Sequence, residues 1–474
     1  MATLSTAFSI ATSALDADQA ALNVVSNNVA NANTPGYTRQ VAVFAENDPV
    51  TINGISYGTG ATMTGGVSQR DLVLEQALQQ QGQTASASSA RLNELEQVEA
   101  IFNQTTTATS STASGATSGI GQDLSSFFDA LSSLEASPAD TSLRQQVLTT
   151  AANLAGDFNT ASSQLSAQQS SLDQQTSSLV TQVNSLTQSL AQLNQQIESS
   201  SPSSDAGTLE DQRQQDLQQL SQLIGIHQIQ TENNGIEITT SNGALLVGGS
   251  QSYPLSTASV SGSLHIFDSQ GNDITTSLQT GGGQVGGLLT VRDQDIPQMQ
   301  SALDTMAYDL GTAVNTQNEA GSDANGNPGV AIFNLPTSAT GAAASISVNI
   351  TDPSQIAAAA SGAGSSDDTN LLAMANLQNQ GIIAGSTPSD FYSAFVTTVG
   401  SLVAGVSTQN TAQEASVSQL QNQINALSAV NLNEEASSLE TFEQSYEAAS
   451  KIFTVLDLVM TSALNLGVET TYTG

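Results

Sequence analysis

The two ends of the chain carry the same signal, and it limits what can lie between them. From the N-terminus the apolar positions read Leu4, Phe8, Ala11, Leu15, Leu22, Val25 and Val29, spaced alternately by four and three, with Asp18 as the one polar interruption. The rhythm returns at the far end as Leu432, Leu439, Phe442, Tyr446, Ala449, Phe453, Leu456 and Met460, where Glu435 is the exception. Both are heptad seams. A stripe this narrow suits one partner helix rather than a globular core. The natural partner of each terminal helix is the other. Isolated helices of this length are marginal in water, so their order is expected to depend on contact with something further.

The first seam runs into NNVANANTPGYTR, residues 27–39. Pro35 fixes its own φ and disfavours helical geometry at Thr34, while Gly36 accepts positive φ; together they suit a type II turn. Asparagine side chains can satisfy carbonyls at a helix end and donate further bonds to neighbours. Two roles therefore stand open for Asn27, Asn28 and Asn31: closing the helix, or facing other chains in an assembly. Periodicity does not choose between them.

Further in, residues 71–102 read as a long amphipathic helix, followed by a Ser/Thr/Gly-rich loop, TTTATSSTASGATSG. A short helix around Phe127, Phe128, Leu131 and Leu134 closes at Ser137-Pro138. From about Leu143 to Glu198 leucines recur seven apart (Leu165, Leu172, Leu179, Leu186, Leu193), with Val183, Leu190 and Ile197 between them. A rod-like helical body follows. At Gly225 the pattern turns to alternation, with Asn234-Gly235 and Asn242-Gly243 as hairpin signals. Strand-like pieces are expected to about Leu289. Helix resumes from about Gln294 to Gln317, then a short β pair near Ile346–Ile350 and helices from Asn370 to Val430. The expected fold is mainly α with an inserted small β-domain, elongated and nested. Its parts are a terminal coiled coil (1–40 with 431–474), a long-helix rod (41–230 with 290–430) with short β elements, and an outer β-domain (231–289).

Composition narrows the partners. Seven Lys+Arg against 42 Asp+Glu give a net charge of −35. Nucleic acid, which needs clustered basic side chains, is a poor partner, and an anionic membrane is disfavoured for the same reason. Cysteine is absent, so no disulfide or thiolate site exists. The N-terminus lacks a basic segment followed by an apolar run and does not read as a cleaved signal peptide; no run of 18 apolar residues suggests a membrane span. Aromatics are 4% and Trp is absent, which argues against a large aromatic-lined pocket.

Catalytic chemistry has little to stand on. His227 and His265 alternate with apolar residues and lack the further ligands of a zinc site. GGGQVGG at 281–287 is not followed by Gly-Lys-Ser/Thr, so a hinge is expected there rather than a phosphate loop. DANGNPG at 323–329 reads as a turn, because Pro328 and Asn334 stand where a calcium loop needs glycine and glutamate. Asp367-Asp368 and Glu434-Glu435 read as solvated helix starts. No nucleophile–base pattern is present, and neither an enzyme nor a cofactor is expected.

SALDADQAALNVVSNNVANANTPGYTRQ resembles the N-terminal signature of bacterial flagellar axial proteins, and SAVNLNEEASSLETFEQSYEAASKIFTVLDLVMTSALNLGV resembles their C-terminal helix. The interior segments LEDQRQQDLQQLSQLIGI, GGLLTVRDQDIPQMQSALDTMAYDLGTAVNTQNEAGSDANGNPG and DPSQIAAAASGAGSSDDTNLLAMANLQ are similar to those of the flagellar hook-associated protein 1 (FlgK) family. The resemblance implies a structural protein at the hook–filament junction, its terminal helices forming an inner tube. It implies export by the flagellar type III route, an extracellular location, and four kinds of partner: copies of itself, the hook protein, a second junction protein and an export chaperone at the C-terminal region. Carried over by motif, the interface comprises Leu4, Phe8, Leu15, Leu22, Val25, Val29, Leu432, Leu439, Phe442, Tyr446, Phe453, Leu456 and Met460, with Asn27, Asn28, Asn31, Pro35, Gly36 and Tyr37 of the turn. Residues 333–346 are short where several relatives insert a further outer domain, so one small outer domain is expected. The alternatives are another axial protein of hook or rod type, or a secreted coiled-coil adhesin or effector. At −35, subunits repel, and salt is expected to aid assembly by screening.

Overall fold

The computed structural model describes residues 2–52, 54–102, 119–199, 207–364 and 366–469; the expected Ser/Thr/Gly-rich loop falls outside them up to residue 118. Its spine is α4, Thr141–Ser199, a helix of 59 residues and about 88 Å. The heptad leucines account for its length. Leu165, Leu172, Leu190 and Leu193 are buried, as are Val183 and Ile197.

Two cores form along that spine. The first gathers the N-terminal half of α4 with α2 (Leu72–Phe102), α3 (Ile120–Glu135), α8 (Ile296–Glu319), α10 (Thr369–Ala375) and α11 (Pro388–Ser428). Phe127, Phe158 and Phe333 fill its centre. The second gathers the C-terminal half of α4 with α5 (Gly207–Leu223) and the strands β5 (Ile226–Gln230), β6 (Ile236–Thr240), β7 (Leu245–Gly248) and β8 (Gln251–Ser252). These four pair antiparallel in sequence order, and β9 (Ser256–Val260) forms a hairpin with β10 (Ser263–Phe267). Two α4 asparagines hold this unit. Asn194 Nδ2 donates to the Ile236 and Gly249 carbonyls at 2.7 and 3.0 Å. Asn184 exchanges two 2.8 Å bonds with the backbone of Leu255. The β unit is thus fastened to the helical body through a shared core.

The structure corrects three sequence expectations. Strand does not continue to Leu289: after Phe267 the chain forms α6 (Thr275–Gly281) and α7 (Gly283–Thr290). Leu278, Val285, Leu288 and Leu289 recur at helical spacing and are all buried. The glycine run 281–287 is not a hinge. Gly282 and Gly283 take φ of +94° and +73° at the corner between the two helices, and a Cβ on Gly287 would collide with the carbonyl of Ala87. Glycine there lets α7 lie backbone-to-backbone on α2, a packed seam. The third correction is a missed element. Residues 40–68 form an antiparallel hairpin of β1 (Gln40–Glu46) and β4 (Ala61–Ser68), tipped by β2 (Val50–Ile52) and β3 (Ile55–Tyr57).

From α7 the chain enters α8 through one wide π-helical turn, Val291–Asp295. There buried Arg292 donates to Asp173 and to the Leu264 carbonyl, each at 2.7 Å, and Asp295 takes a two-pronged bond from Arg91 of α2. The expected β pair is β12 (Phe333–Asn334) with β13 (Ser347–Val348); β11 (Gly321–Ser322) pairs with β14 (Ala359–Ala360). Between Asn334 and Ser347 lies only the short helix α9 (Ala342–Ser345).

Candidate functional site

Helix α1 spans Ala2–Ala30 and α12 spans Leu432–Glu469. They lie against each other. Phe8 stacks on Phe453 with ring centroids 4.5 Å apart, while Asn28 meets Glu435 at the opposite end of α1, so the pair is antiparallel. The hairpin backs it: Gly60 approaches Ile10 and Ser13, Gly66 approaches Val24, and Phe44 packs on Phe442.

The seams are seated unequally. Val25 is buried, and Leu4, Phe8, Leu15 and Leu22 are half-buried, but Val29 is exposed. On α12, Ala449 is buried and Phe442, Phe453 and Leu456 are half-buried, whereas Leu432, Leu439, Tyr446 and Met460 stay exposed. A second apolar face also stands open: Ile452, Val455, Leu458, Val459 and Leu464, with Val455 at 58% exposure. Heptad counting missed this face because SKIFTVLDLVM is apolar nearly all round, and a seam describes only one side of it. By length and composition alone, Pro388–Asn465 also contains an 18-residue window apolar enough to cross a membrane, of which 22% is buried, where no such segment was expected.

The polar interruptions of the seams carry the most specific contacts. Asn28 and Glu435 are each 1% exposed. Asn28 Nδ2 donates to Glu435 Oε2 at 3.0 Å and to the Gln40 carbonyl at 2.8 Å. Its Oδ1 accepts from the Tyr37 hydroxyl at 2.8 Å and the Gln40 N–H at 3.0 Å. Arg39 completes the clamp, reaching Glu435 at 2.7 Å and Glu434 at 2.5 Å. Asn28, considered for contact with other chains, therefore has its hydrogen-bonding groups occupied within one chain, and Glu435 is no solvated helix start. Asn27 and Asn31 bond to each other at the helix end: Asn31 Nδ2 donates to the Asn27 carbonyl and Oδ1 at 3.0 and 2.8 Å. Asp18 is 7% exposed, and its Oδ2 has no hydrogen-bond partner among the described residues.

The turn forms as its chemistry requires. The Tyr37 N–H donates to the Thr34 carbonyl at 3.2 Å, and Gly36 takes φ of +78°. It faces the helical body. Gln215 Nε2 donates to the Pro35 carbonyl, the Thr38 N–H donates to Asp211, and Asp211 also pairs with Arg70, which reaches Glu75 at 3.5 Å. These residues and the end of α11 line a cleft of about 410 Å³, across which the Arg39 N–H donates to the Ser428 carbonyl at 2.9 Å. Burial, with Asp211 and Glu435 nearby, pushes the Tyr37 hydroxyl up to about 12, so it remains a donor to Asn28. Burial also raises the Glu75 carboxyl, more than Arg70 lowers it.

The other motifs stay structural. His227 is exposed on its strand, and His265 Nδ1 lies 2.6 Å from Asp273 Oδ2. Asp273 is held down to about 2, first by the Thr275 hydroxyl. In the expected turn at 323–329, Asp323 Oδ1 accepts from the N–H groups of Asn325 and Asn327 at 2.8 and 2.7 Å. Asp367 accepts from the Ala360 N–H and the Thr369 hydroxyl just before α10. Among the described residues no three His, Asp or Glu side chains converge in a way that could hold a metal.

This architecture has counterparts. Over nearly its whole length the chain matches flagellar hook-associated protein 1 of Escherichia coli K12, at 26% identity over 550 residues that cover 96% of this chain and 98% of that one. The protein of the same description from Bacillus subtilis 168 is 28% identical, covering 95% and 96%. The model of the FlgK helical domain matches residues 105–333. Over nearly all of its length the chain is thus similar to the flagellar hook-associated protein 1 family. A flagellar basal-body rod protein model matches residues 8–38, which are α1 and the Pro-Gly turn. The fold agrees with the flagellar hook junction protein FlgK from Burkholderia pseudomallei at a TM-score of 0.64 and 19% identity, covering 73% of this chain and 99% of that one. These matches support a structural role in the bacterial flagellum.

Proposed function

We propose that this protein is the subunit joining flagellar hook to filament, and that it assembles through the α1–α12 pair and the hairpin beside it. One observation carries the reading. Among the described residues, every large apolar side chain with substantial exposure except Ile229, Val260, Val330 and Leu372 lies within residues 10–73 or 427–464. Apolar surface concentrated at one structural unit marks an interaction site. The clamp at Asn28, Arg39 and Glu435 fixes the two helices relative to each other, and neighbouring copies cover what is left open.

Its partners on this reading are further copies, the hook protein and a second junction protein, with an export chaperone shielding the C-terminal helix beforehand. Export through the flagellar apparatus delivers it outside the cell. Catalysis has no part in this role. The test is deletion of residues 1–40: cells should secrete the chain yet fail to retain filaments, and swimming should stop. Normal filament attachment by the truncated chain would refute the proposal.

A further inference from the structure

A groove remote from the α1–α12 pair holds a charge that the assembly reading leaves unused. It lies where α2, α4 and α7 meet, with a volume of about 420 Å³. It opens because α2 presents Ser86, Ser89 and Ala90 along one face opposite Ser178, too small to fill the space between the helices. Glu94, one turn further along α2, lines it and is only 6% exposed. Its Oε2 accepts from Gln97 at 3.3 Å and from Gln168 at 2.5 Å. Among the described residues Oε1 has no hydrogen bond, and no Arg, Lys or His forms an ion pair with Glu94. The arginine of the preceding turn, Arg91, is engaged by Asp295.

A carboxylate whose free oxygen opens onto a groove and has no cation beside it is a ready acceptor for a positive group that enters there. The rest of the lining says what kind of cation fits. Ser86, Ser89, Asn93, Gln175, Ser178 and Gln284 offer neutral oxygens, and Leu179, Leu288 and Ala90 offer an apolar floor. A hard divalent ion takes several charged oxygens and would leave that floor uncovered. A cation on an alkyl stem uses both, the stem lying on Leu179 and Leu288 and the ammonium hydrogens shared between Glu94 Oε1 and the hydroxyls. We infer that this groove is a binding site for an alkylammonium group, with Glu94 as its counter-ion. The group is carried either by a free diamine or by a lysine side chain of another polypeptide.

The test is calorimetric titration of the full chain with 1,4-diaminobutane and, separately, with Nα-acetyl-lysine amide; n-butanol serves as the uncharged control. At least one amine should bind saturably at one site, n-butanol should not, and Glu94→Gln should weaken binding tenfold or more. Glu96→Gln, which removes an exposed charge on the same helix, should leave it unchanged. Ser89→Leu, which fills the groove and keeps the carboxylate, should abolish binding while the thermal unfolding profile shows a folded chain. Binding of the diamine alone assigns the site to a free amine, and binding of the lysine amide alone assigns it to a protein side chain. Absence of saturable binding by both, or equal weakening by Glu96→Gln and Glu94→Gln, would overturn the inference.

Discussion

Asn28 occupies the position on which the terminal unit most depends. Its amide joins α1, the backbone of Gln40 and Glu435 of α12. Asn28→Ala would strand the Gln40 backbone groups and one oxygen of a buried carboxylate. Such losses cost about 1–3 kcal/mol. Amide exchange should therefore accelerate in residues 20–30 and 432–440 and stay unchanged in α4. Asp157 makes the opposite case. Burial, then the neighbouring Asp123, pushes its carboxyl up to about 6. A carboxyl raised in the folded state stabilises the fold below its unfolded pKa, near 4, and that contribution is lost as pH rises through 6. Above pH 7 the Asp123–Asp157 pair therefore weakens the packing of α3 on α4. Asp157→Asn should raise stability by about 1–2 kcal/mol at pH 7.5, with the gain gone at pH 4, as denaturant unfolding at the two values would show. A gain of equal size at both would contradict this account of the pair.

At the scale of elements, the helices were legible in the sequence and the surfaces between them much less so. Heptad leucines gave α4 nearly to the residue, since a long run of one period admits one reading. The Pro35-Gly36 turn was equally legible, because two residues with restricted or unusual φ leave few backbone paths. What was missed shares a cause. In α6 and α7 the glycines read as flexibility, yet what they provide is close approach, which depends on α2 lying opposite. The hairpin at 40–68 was marked by Asn53-Gly54 between VTI and ISY, a signal overlooked beside the stronger helical patterns. Asp18 and Glu435 read as flaws in a seam; that Glu435 anchors a clamp required knowing that Arg39 and Asn28 reach it. The open face of α12 yields its own prediction. Val455→Asp with Val459→Asp touches nothing buried in one chain, so the monomer should keep its helicity and unfolding midpoint while polymerisation fails by sedimentation. Unimpaired polymerisation would remove that face from the interface.

For the whole molecule, charge and apolarity are divided between regions. The chain carries −35, yet its six arginines all bond internally: Arg39, Arg70, Arg91 and Arg292 to carboxylates, Arg144 and Arg213 to carbonyl or amide oxygens. That leaves few cations to draw anionic partners, while open apolar surface gathers on the terminal helices and hairpin. A long, well-packed body thus presents one adhesive unit, the organisation that the proposed assembly requires. Because the chain lacks cysteine, a single introduced thiol reports on that unit directly. The decisive measurement is maleimide labelling of Val455→Cys in the monomer and in assembled hook–filament particles, against Gln174→Cys on the exposed side of α4. Labelling at 455 should be fast in the monomer and fall at least tenfold on assembly, with residue 174 as a control labelled in both. Equal reactivity at 455 in both states would contradict the claim that neighbouring copies cover the terminal helices.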